Sequence, residues 1–283
     1  MNWEIQILQF LQEIRNPFLT SIMEAITFMA ESLFIVVIIA LLYWCVDKQR
    51  SLKIAWIVLF SSVINGIVKN IVKMPRPFQR GIVTPIRVET ATSYSFPSGH
   101  TQIATSFWGG AMTIFRDRSV VILGSVFIIL TAITRLYLGV HWPIDVIGGI
   151  VLGVICISIA DKTLDIKKGF TKVHIVVVGI AAIGILILPV DGDLAKVIGA
   201  LLGMVVGAYL ERRYINFKEK QPWKKQLIKI AIGIGGTLIL YAGLKILLPS
   251  AKISYMIRYM VVLLWIVAGA PLMFNRMLEK KGK

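Results

Sequence analysis

The stretch SVVILGSVFIILTAITRLYLGVHWPIDVIGGIVLGVICISIA, from Ser119 to Ala160, decides the fold class. It contains two apolar runs, each near the ~20 residues that a helix needs to cross the hydrocarbon core of a bilayer. A short polar segment around His141 joins them. In lipid every backbone polar group must be bonded within the structure, so helices are favoured. The stretch therefore predicts two membrane-spanning helices that are connected at one face of a bilayer.

The same pattern recurs along the whole chain. Of its 283 residues, 57% are hydrophobic and 16% are charged, and the mean hydropathy is +0.77. This composition excludes a soluble, disordered or fibrous protein. Nine spans are predicted, at about 24–46, 53–72, 98–115, 119–138, 143–160, 173–189, 194–210, 226–248 and 255–274. We therefore expect an all-α polytopic membrane protein.

The net charge of +16 comes from 31 basic and 15 acidic residues. In a soluble chain this excess would suggest a nucleic-acid partner. Here 19 of the 31 basic residues lie in alternate connections between the predicted spans, at 47–53, 116–118, 161–172, 211–225 and 275–283. The positive-inside bias places those connections in the cytoplasm, so the N-terminus is predicted outside and the C-terminus inside. The charge then reports topology, and no nucleic-acid partner is expected.

Residues 1–20 are predicted to form an amphipathic helix on the outer membrane surface. The apolar positions follow a helical period, at Trp3, Ile7, Phe10, Leu11 and Ile14. A secretory signal is not predicted, because a charged leader and a small-residue cleavage site are absent from this stretch.

Two further regions follow, a five-span core over 21–164 and a four-span module over 165–283. The module carries Gly199, Gly203 and Gly207 at four-residue spacing, a pattern that lets helix backbones approach closely. We expect the module to pack beside the core through this glycine seam and to shape a lipid entrance or a homodimer contact.

Ionisable residues at membrane depth are expensive and indicate a functional site. Three clusters of them fall at outer helix ends: Lys69 with Arg76, then Ser98-Gly99-His100, then Arg135 with His141 and Asp145. Two of the three histidines of the chain are among them. Basic and imidazole side chains gathered at one face predict a shared anionic ligand.

The residue types fit phosphoryl transfer through a phosphohistidine. Asp145, one helical turn after His141, would hold one ring nitrogen and leave the other as a nucleophile. His100 would act as general acid and then general base. A phosphate cradle is predicted from Lys69, Arg76, Ser98, Gly99 and Arg135.

In these motifs the chain resembles the type 2 phosphatidic acid phosphatase (PAP2) superfamily, which includes glucose-6-phosphatase and the vanadium haloperoxidases. The pattern Lys-x6-Arg-Pro corresponds to Lys69–Pro77, Pro-Ser-Gly-His to Pro97–His100, and Ser-Arg-x5-His-x3-Asp to Thr134–Asp145. Thr134 replaces the usual Ser and keeps a hydroxyl. The resemblance covers roughly residues 20–162.

The resemblance implies a PAP2-type helical bundle and a phosphatase that needs neither metal nor cofactor. It implies that His141 is the nucleophile, that His100 is the acid and base, and that the cradle residues bind phosphate. The short N-terminal helix and five core spans resemble bacterial undecaprenyl-diphosphate phosphatases, whereas the last four spans lie outside that pattern. Nine spans with an outward N-terminus also resemble glucose-6-phosphatase in layout.

Several alternatives stay open. The substrate could be undecaprenyl diphosphate, phosphatidate, phosphatidylglycerophosphate or a soluble sugar phosphate, and a non-catalytic anion transporter is a further reading. Glu24 and Glu31 could pair with basic residues at the mouth of the site or face other helices or the headgroups, and Asn65 could orient Lys69 or bond between helices. A bacterial plasma membrane, with the site on the extracytoplasmic face, is the expected location.

Overall fold

The computed structural model describes residues 2–189 and 191–278. Over these ranges the chain is helical. The α-helices are α1 (Asn2–Glu13), α2 (Pro17–Phe28), α3 (Ser32–Cys45), α4 (Lys48–Val72), α5 (Gly99–Phe115), α6 (Arg118–Tyr137), α7 (Pro143–Thr163), α8 (Lys172–Ile187), α9 (Gly192–Leu210), α10 (Trp223–Leu247), α11 (Lys252–Leu264) and α12 (Ala270–Leu278). Short 3-10 turns lie at Pro77–Arg80 and Val88–Thr90, and π-helical turns at Glu211–Ile215 and Trp265–Gly269.

Six helical segments of the described chain are long and apolar enough to cross a membrane: Lys48–Arg80, Arg118–Tyr137, Pro143–Thr163, Gly192–Ile215, Trp223–Leu247 and Lys252–Leu278. A seventh is possible if α2 and α3, which are bent by 50° relative to each other, count as one broken span. The chain is thus a multi-pass all-α membrane protein, but the predicted count of nine spans is not confirmed. Helix α8 has only 16 residues, and α5 has 17 and directs polar side chains inward, among them Thr101, Gln102 and Thr105.

The prediction of one interfacial helix over 1–20 is wrong in its extent. Helix α1 ends at Glu13 and α2 begins at Pro17, because Asn16 caps a new helix. The Asn16 side chain accepts a hydrogen bond from the Leu19 N–H at 2.9 Å, and proline at the first helical position loses no bond.

Helix α1 keeps the predicted amphipathic character. Trp3, Ile7 and Phe10 are exposed, whereas Leu8 is buried against Val83 and Trp142. One face of α1 therefore packs against the segment that carries the site, and the other is free to contact lipid.

The described residues divide into two compact units. The first contains the chain up to Val36 and Phe60–Asp161, and the second contains Val37–Leu59 and the chain from Lys162 onward. In the first unit α6 packs against α5, α2 and α1. Asp117 caps α6 by accepting hydrogen bonds from the N–H groups of Ser119 and Val120 at 2.8 and 3.2 Å.

In the second unit α9 packs along α11 and also contacts α8. The predicted glycine seam lies at the α9–α11 contact. A Cβ added to Gly199 would lie 2.8 Å from the Met256 carbonyl carbon, and one added to Gly203 would lie 2.9 Å from that of Met260. The seam is a packing surface, as its spacing indicates, but it is filled from within the unit. It therefore gives no support to a contact with the core or with a second copy.

Candidate active site

The centre of the site is an imidazole held by a buried carboxylate. His141 lies just before α7 and Asp145 lies in its first turn, and Nδ1 of His141 is 3.2 Å from Oδ2 of Asp145. The same oxygen accepts hydrogen bonds from the Trp142 N–H at 2.7 Å and from the Ser95 hydroxyl at 2.5 Å. The His141 and Asp145 side chains are 2% and 0% exposed. With three donors on one oxygen, the carboxylate is fixed, and it orients the ring in turn.

Arg76 approaches the other ring nitrogen. Its Nη1 lies 3.1 Å from Nε2 of His141 and donates to the Val140 carbonyl at 2.7 Å, while its Nε donates to the Ser93 carbonyl at 2.8 Å. A guanidinium only donates, so Nε2 must accept and the ring proton must sit on Nδ1, facing Asp145. The two contacts therefore select one tautomer, with the proton on Nδ1. The lone pair of Nε2, the nucleophilic atom, then faces the Arg76 guanidinium, and this cation would attract an arriving anion.

The surroundings of His141 also set its charge. Burial lowers the pKa of His141 well below its usual range, and the positive charges of Arg76, Lys69 and Arg135, followed by an interaction with His100, lower it further. The ring is therefore neutral at pH 7, which is the nucleophilic form.

Lys69 reaches the site from the last turn of α4. Its ammonium donates to the Tyr94 carbonyl and lies 3.4 Å from the Ser95 carbonyl, and the residue is 6% exposed. The lysine thereby ties the segment that carries Ser95 to the end of α4, and it places a positive charge beside the carboxylate network.

Arg135 enters from the last turn of α6 and is fully buried. Nη1 donates to the Thr27 hydroxyl at 2.9 Å and Nη2 to the Thr90 hydroxyl at 3.2 Å. Within the described part of the chain, its Nε is buried with no hydrogen-bond partner. A buried guanidinium with an unused donor is costly unless an acceptor arrives, and a phosphate oxygen would be such an acceptor.

The start of α5 carries the remaining motif residues. The Ser98 N–H donates to the Asp145 carbonyl at 2.9 Å, and its hydroxyl lies 3.0 Å from that of Thr101. The Ser98 N–H is thus already bonded, so the Ser98 hydroxyl is the group left for an anion, as its predicted place in the phosphate cradle requires. Gly99 opens the helix and His100 follows, partly buried and near enough to influence the charge of His141.

A buried polar network supports this helix start. The Asn65 amide donates to Gln102 Oε1 at 2.8 Å, and the Gln102 amide donates to the carbonyl and hydroxyl of Ser61, both at 2.9 Å. Asn65 therefore bonds between α4 and α5, which settles one of the alternatives left open by the sequence.

Close packing of α7 on α5 also depends on glycine. A Cβ on Gly149 would lie 2.8 Å from the Ser98 carbonyl oxygen, and one on Gly153 would lie 2.8 Å from Cβ of Thr105. These contacts bring the beginning of α5 against the helix that carries Asp145.

Sequence reasoning missed several contacts. Ser95 lies in the long segment between α4 and α5, whose length was the available signal.

Glu31 pairs with Arg87, with Oε1 and Nη2 2.8 Å apart, as one of the open alternatives held. The Thr134 hydroxyl bonds to the Thr131 carbonyl of its own helix at 2.7 Å, so the retained hydroxyl acts within α6.

The charge of the site comes from arginine and lysine. Among the residues that the structure describes, no cluster of three or more His, Cys, Asp or Glu side chains is arranged to hold a metal ion.

Two family models match this chain. Residues 50–164 match the model of the PAP2 superfamily, and residues 195–281 match the model described as PAP2 superfamily phosphatase, transmembrane extension. The first of these ranges includes every residue of the three motifs.

Among curated proteins, the chain is 30% identical over 157 residues to the undecaprenyl-diphosphatase BcrC of Bacillus subtilis, which covers 55% of this chain and 80% of that protein. It is 34% identical over 110 residues to an undecaprenyl-diphosphatase of Sulfolobus acidocaldarius, covering 38% of this chain and 52% of the relative, about half its length. Among solved structures, Aquifex aeolicus LpxE superposes with a TM-score of 0.50 at 20% identity, over 56% of this chain and 95% of that one. The likeness to that structure concerns the fold of the core.

Proposed function

Since the chain belongs to the PAP2 superfamily, we propose that it is a membrane lipid-phosphate phosphatase that works through a phosphohistidine on His141. The observation that carries the proposal is the double hold on the His141 ring. The Asp145 carboxylate accepts a hydrogen bond from the Nδ1–H group of His141, and the Nε2 lone pair faces the Arg76 guanidinium. In this arrangement an anion that binds Arg76 is brought directly to the nucleophilic atom.

The reaction then has two steps. The terminal phosphate binds Arg76, Arg135 and Lys69, and Nε2 of His141 attacks phosphorus while the bond to the leaving oxygen breaks. Burial and the nearby arginine and lysine charges lower the pKa of His100, and the negative charge of the bound phosphate raises it again, so that the ring can carry a second proton. Protonated His100 gives that proton to the leaving oxygen. A water molecule then gives a proton back to His100 and attacks the phosphorus, which breaks the P–N bond and releases inorganic phosphate.

The site residues supply positioning and charge stabilisation, which are the main contributions that phosphoryl transfer requires. Three cations are already gathered there by backbone and hydroxyl groups. No step requires a metal ion or cofactor, so we expect activity in the presence of EDTA.

A lipid substrate is favoured by the membrane setting. Lys69 and Arg135 lie in the last turns of α4 and α6, and Asp145 lies in the first turn of α7. These helices are long and apolar enough to span a bilayer, so a substrate whose tail stays in lipid can present its phosphate at their ends. Undecaprenyl diphosphate, phosphatidate and phosphatidylglycerophosphate meet this requirement. The distribution of basic residues supports a site on the extracytoplasmic face of a bacterial plasma membrane.

We assign catalysis to 21–164 and regard 165–283, which carries α8 to α12, as an added helical module. The separate family matches to 50–164 and 195–281 support this division.

The test is phosphate release by the purified full chain in detergent and EDTA. Undecaprenyl diphosphate, phosphatidate, phosphatidylglycerophosphate and glucose 6-phosphate are compared, with His141→Gln beside a matched control, His174→Gln. We expect release from at least one lipid, its loss in His141→Gln and its retention in His174→Gln.

Release from glucose 6-phosphate alone would overturn the lipid assignment. Release that survives His141→Gln would overturn the mechanism. A folded wild-type protein that hydrolyses none of the four would favour the transport alternative.

A further inference from the structure

A fourth cation, Arg87, lies at the outer edge of the site. Its Nη2 is 2.8 Å from Oε1 of Glu31, and its Nε is 3.4 Å from Oε1 of Glu89. The Arg87 side chain is 22% exposed, whereas Arg135 is fully buried. Arg87 can therefore meet an arriving ligand, while Arg135 lies deeper.

Arg87 and Arg135 are linked through one hydroxyl. Thr90 Oγ1 donates to the Arg87 carbonyl at 2.9 Å and accepts from Nη2 of Arg135 at 3.2 Å. The corner between α2 and α3 contacts both arginines, since Thr27 bonds Arg135 and Glu31 pairs with Arg87. The backbone of Arg87 is therefore tied to the Arg135 guanidinium, and one helix corner contacts both side chains, with Arg135 in the deeper position and Arg87 in the outer one.

The backbone at Arg87 is held in a rare conformation. Its φ is +58°, in the left-handed region that residues other than glycine seldom adopt. Such conformations persist where the surroundings enforce them, and they cluster at ligand sites. Here the Thr90 hydroxyl and the Thr90 N–H both bond to the Arg87 carbonyl, at 2.9 and 3.1 Å.

The charges of the site indicate what Arg87 would bind. Lys69, Arg76 and Arg135 against the carboxylate of Asp145 leave two positive charges, which suits the dianion of one terminal phosphate. Arg87 adds nothing to this balance, because Glu31 and Glu89 both pair with it. A second phosphate that replaces Glu31 on the guanidinium would take over its charge-assisted hydrogen bond.

We propose that Arg87 is the receptor for the second, lipid-linked phosphate of a diphosphate substrate, and that this phosphate replaces Glu31 on its guanidinium. The inference rests on the proposed function and narrows its substrate class. As His141 attacks the terminal phosphorus, the bond to the bridging oxygen breaks and a lipid monophosphate leaves with the His100 proton. Arg87 stabilises that leaving group, which a monophosphate substrate does not have.

The experiment compares farnesyl diphosphate with farnesyl monophosphate, which share a tail and differ by one phosphate. The full chain in detergent micelles is assayed as wild type, Arg87→Gln and Glu31→Gln. The matched control is Lys73→Gln. Lys73 is an exposed cation that also lies between α4 and α5, and its backbone φ is positive like that of Arg87. Thermal unfolding of each variant is recorded beside kcat/KM.

For Arg87→Gln we expect kcat/KM for the diphosphate to fall about 10- to 100-fold, the size of one lost charge-assisted contact, with the monophosphate within about threefold of wild type. Glu31→Gln should lower KM for the diphosphate, because a competitor for Arg87 is gone. Lys73→Gln should change neither substrate.

Equal losses on both substrates in Arg87→Gln would overturn the proposal, because Arg87 would then only support Arg135. Wild-type kcat/KM values for both substrates in Arg87→Gln would overturn it too. A wild type that hydrolyses only the monophosphate refutes this inference and leaves the proposed function standing, whereas one that hydrolyses neither refutes both.

Discussion

Replacing Ser95 with alanine removes one of the three hydrogen bonds that fix the Asp145 carboxylate. Ser95 is fully buried, and its hydroxyl donates to Oδ2 at 2.5 Å. A hydrogen bond to a charged group contributes about 1.5–3 kcal/mol to the free energy of unfolding. If that energy is expressed in the alignment of His141, kcat falls between about tenfold and 100-fold. The Trp142 N–H still holds the same oxygen, so we expect the lower end of that range.

Ser106→Ala is the matched control. Ser106 is also fully buried, but its hydroxyl has no hydrogen-bond partner in the described part of the chain. Removing an unbonded buried hydroxyl relieves a desolvation cost, and alanine favours the helix by about 0.5 kcal/mol. Its thermal unfolding temperature should be equal to or above that of wild type, with unchanged activity.

Both variants are measured for unfolding temperature in detergent and for phosphate release from a prenyl diphosphate. The expected result is a loss of stability and rate in Ser95→Ala alone. Indistinguishable behaviour of the two variants would refute the argument that Ser95 positions the carboxylate.

Two further predictions concern the same centre. Gly149→Ala places a Cβ 2.8 Å from the Ser98 carbonyl oxygen and should reduce phosphate release at least tenfold. The control is Gly179→Ala, which has no atom within 4 Å of its Cβ and should keep the wild-type rate. Equal rates in the two variants would contradict the packing argument. The His141 ring, followed by NMR in ring-labelled protein, should titrate below pH 6.5, and Lys69→Met should raise its pKa because a nearby positive charge is lost. An unchanged His141 pKa in Lys69→Met would show that the Lys69 charge does not act on His141.

The chemistry at helix ends was predictable from sequence because it depends on short spacings. A separation of four residues places His141 one helical turn from Asp145. Arg76 and Arg135 were predicted as site residues because a charged side chain at membrane depth is costly without a partner. Their roles in the reaction remain predictions for the experiments above.

The contacts that orient those residues were not predictable. Ser95 acts from an irregular segment, and Thr27 acts from a helix end within a region that periodicity predicts as one continuous span. Such contacts join residues that are far apart in sequence, so they depend on the tertiary structure and no local sequence pattern indicates them. The break at Asn16-Pro17, by contrast, had a visible signal in a dipeptide that favours a turn.

The predicted count of nine spans is not confirmed, since six or seven helical segments of the described chain meet the length and hydropathy requirements. Hydropathy ranks a helix by its average, and α5 combines an apolar face with buried polar residues such as Gln102 that serve the site. Helix α5, which the sequence predicts as a span over 98–115, has 17 residues and is not among those segments.

The stereochemical course at phosphorus tests the central claim most directly. A prenyl diphosphate whose terminal thiophosphoryl group is made chiral with oxygen isotopes is hydrolysed by the wild-type chain in isotopically labelled water. Attack by His141 followed by attack by water gives two inversions, so the account predicts net retention of configuration, whether or not the intermediate accumulates. Net inversion would show direct attack by water and would contradict a phosphohistidine on His141.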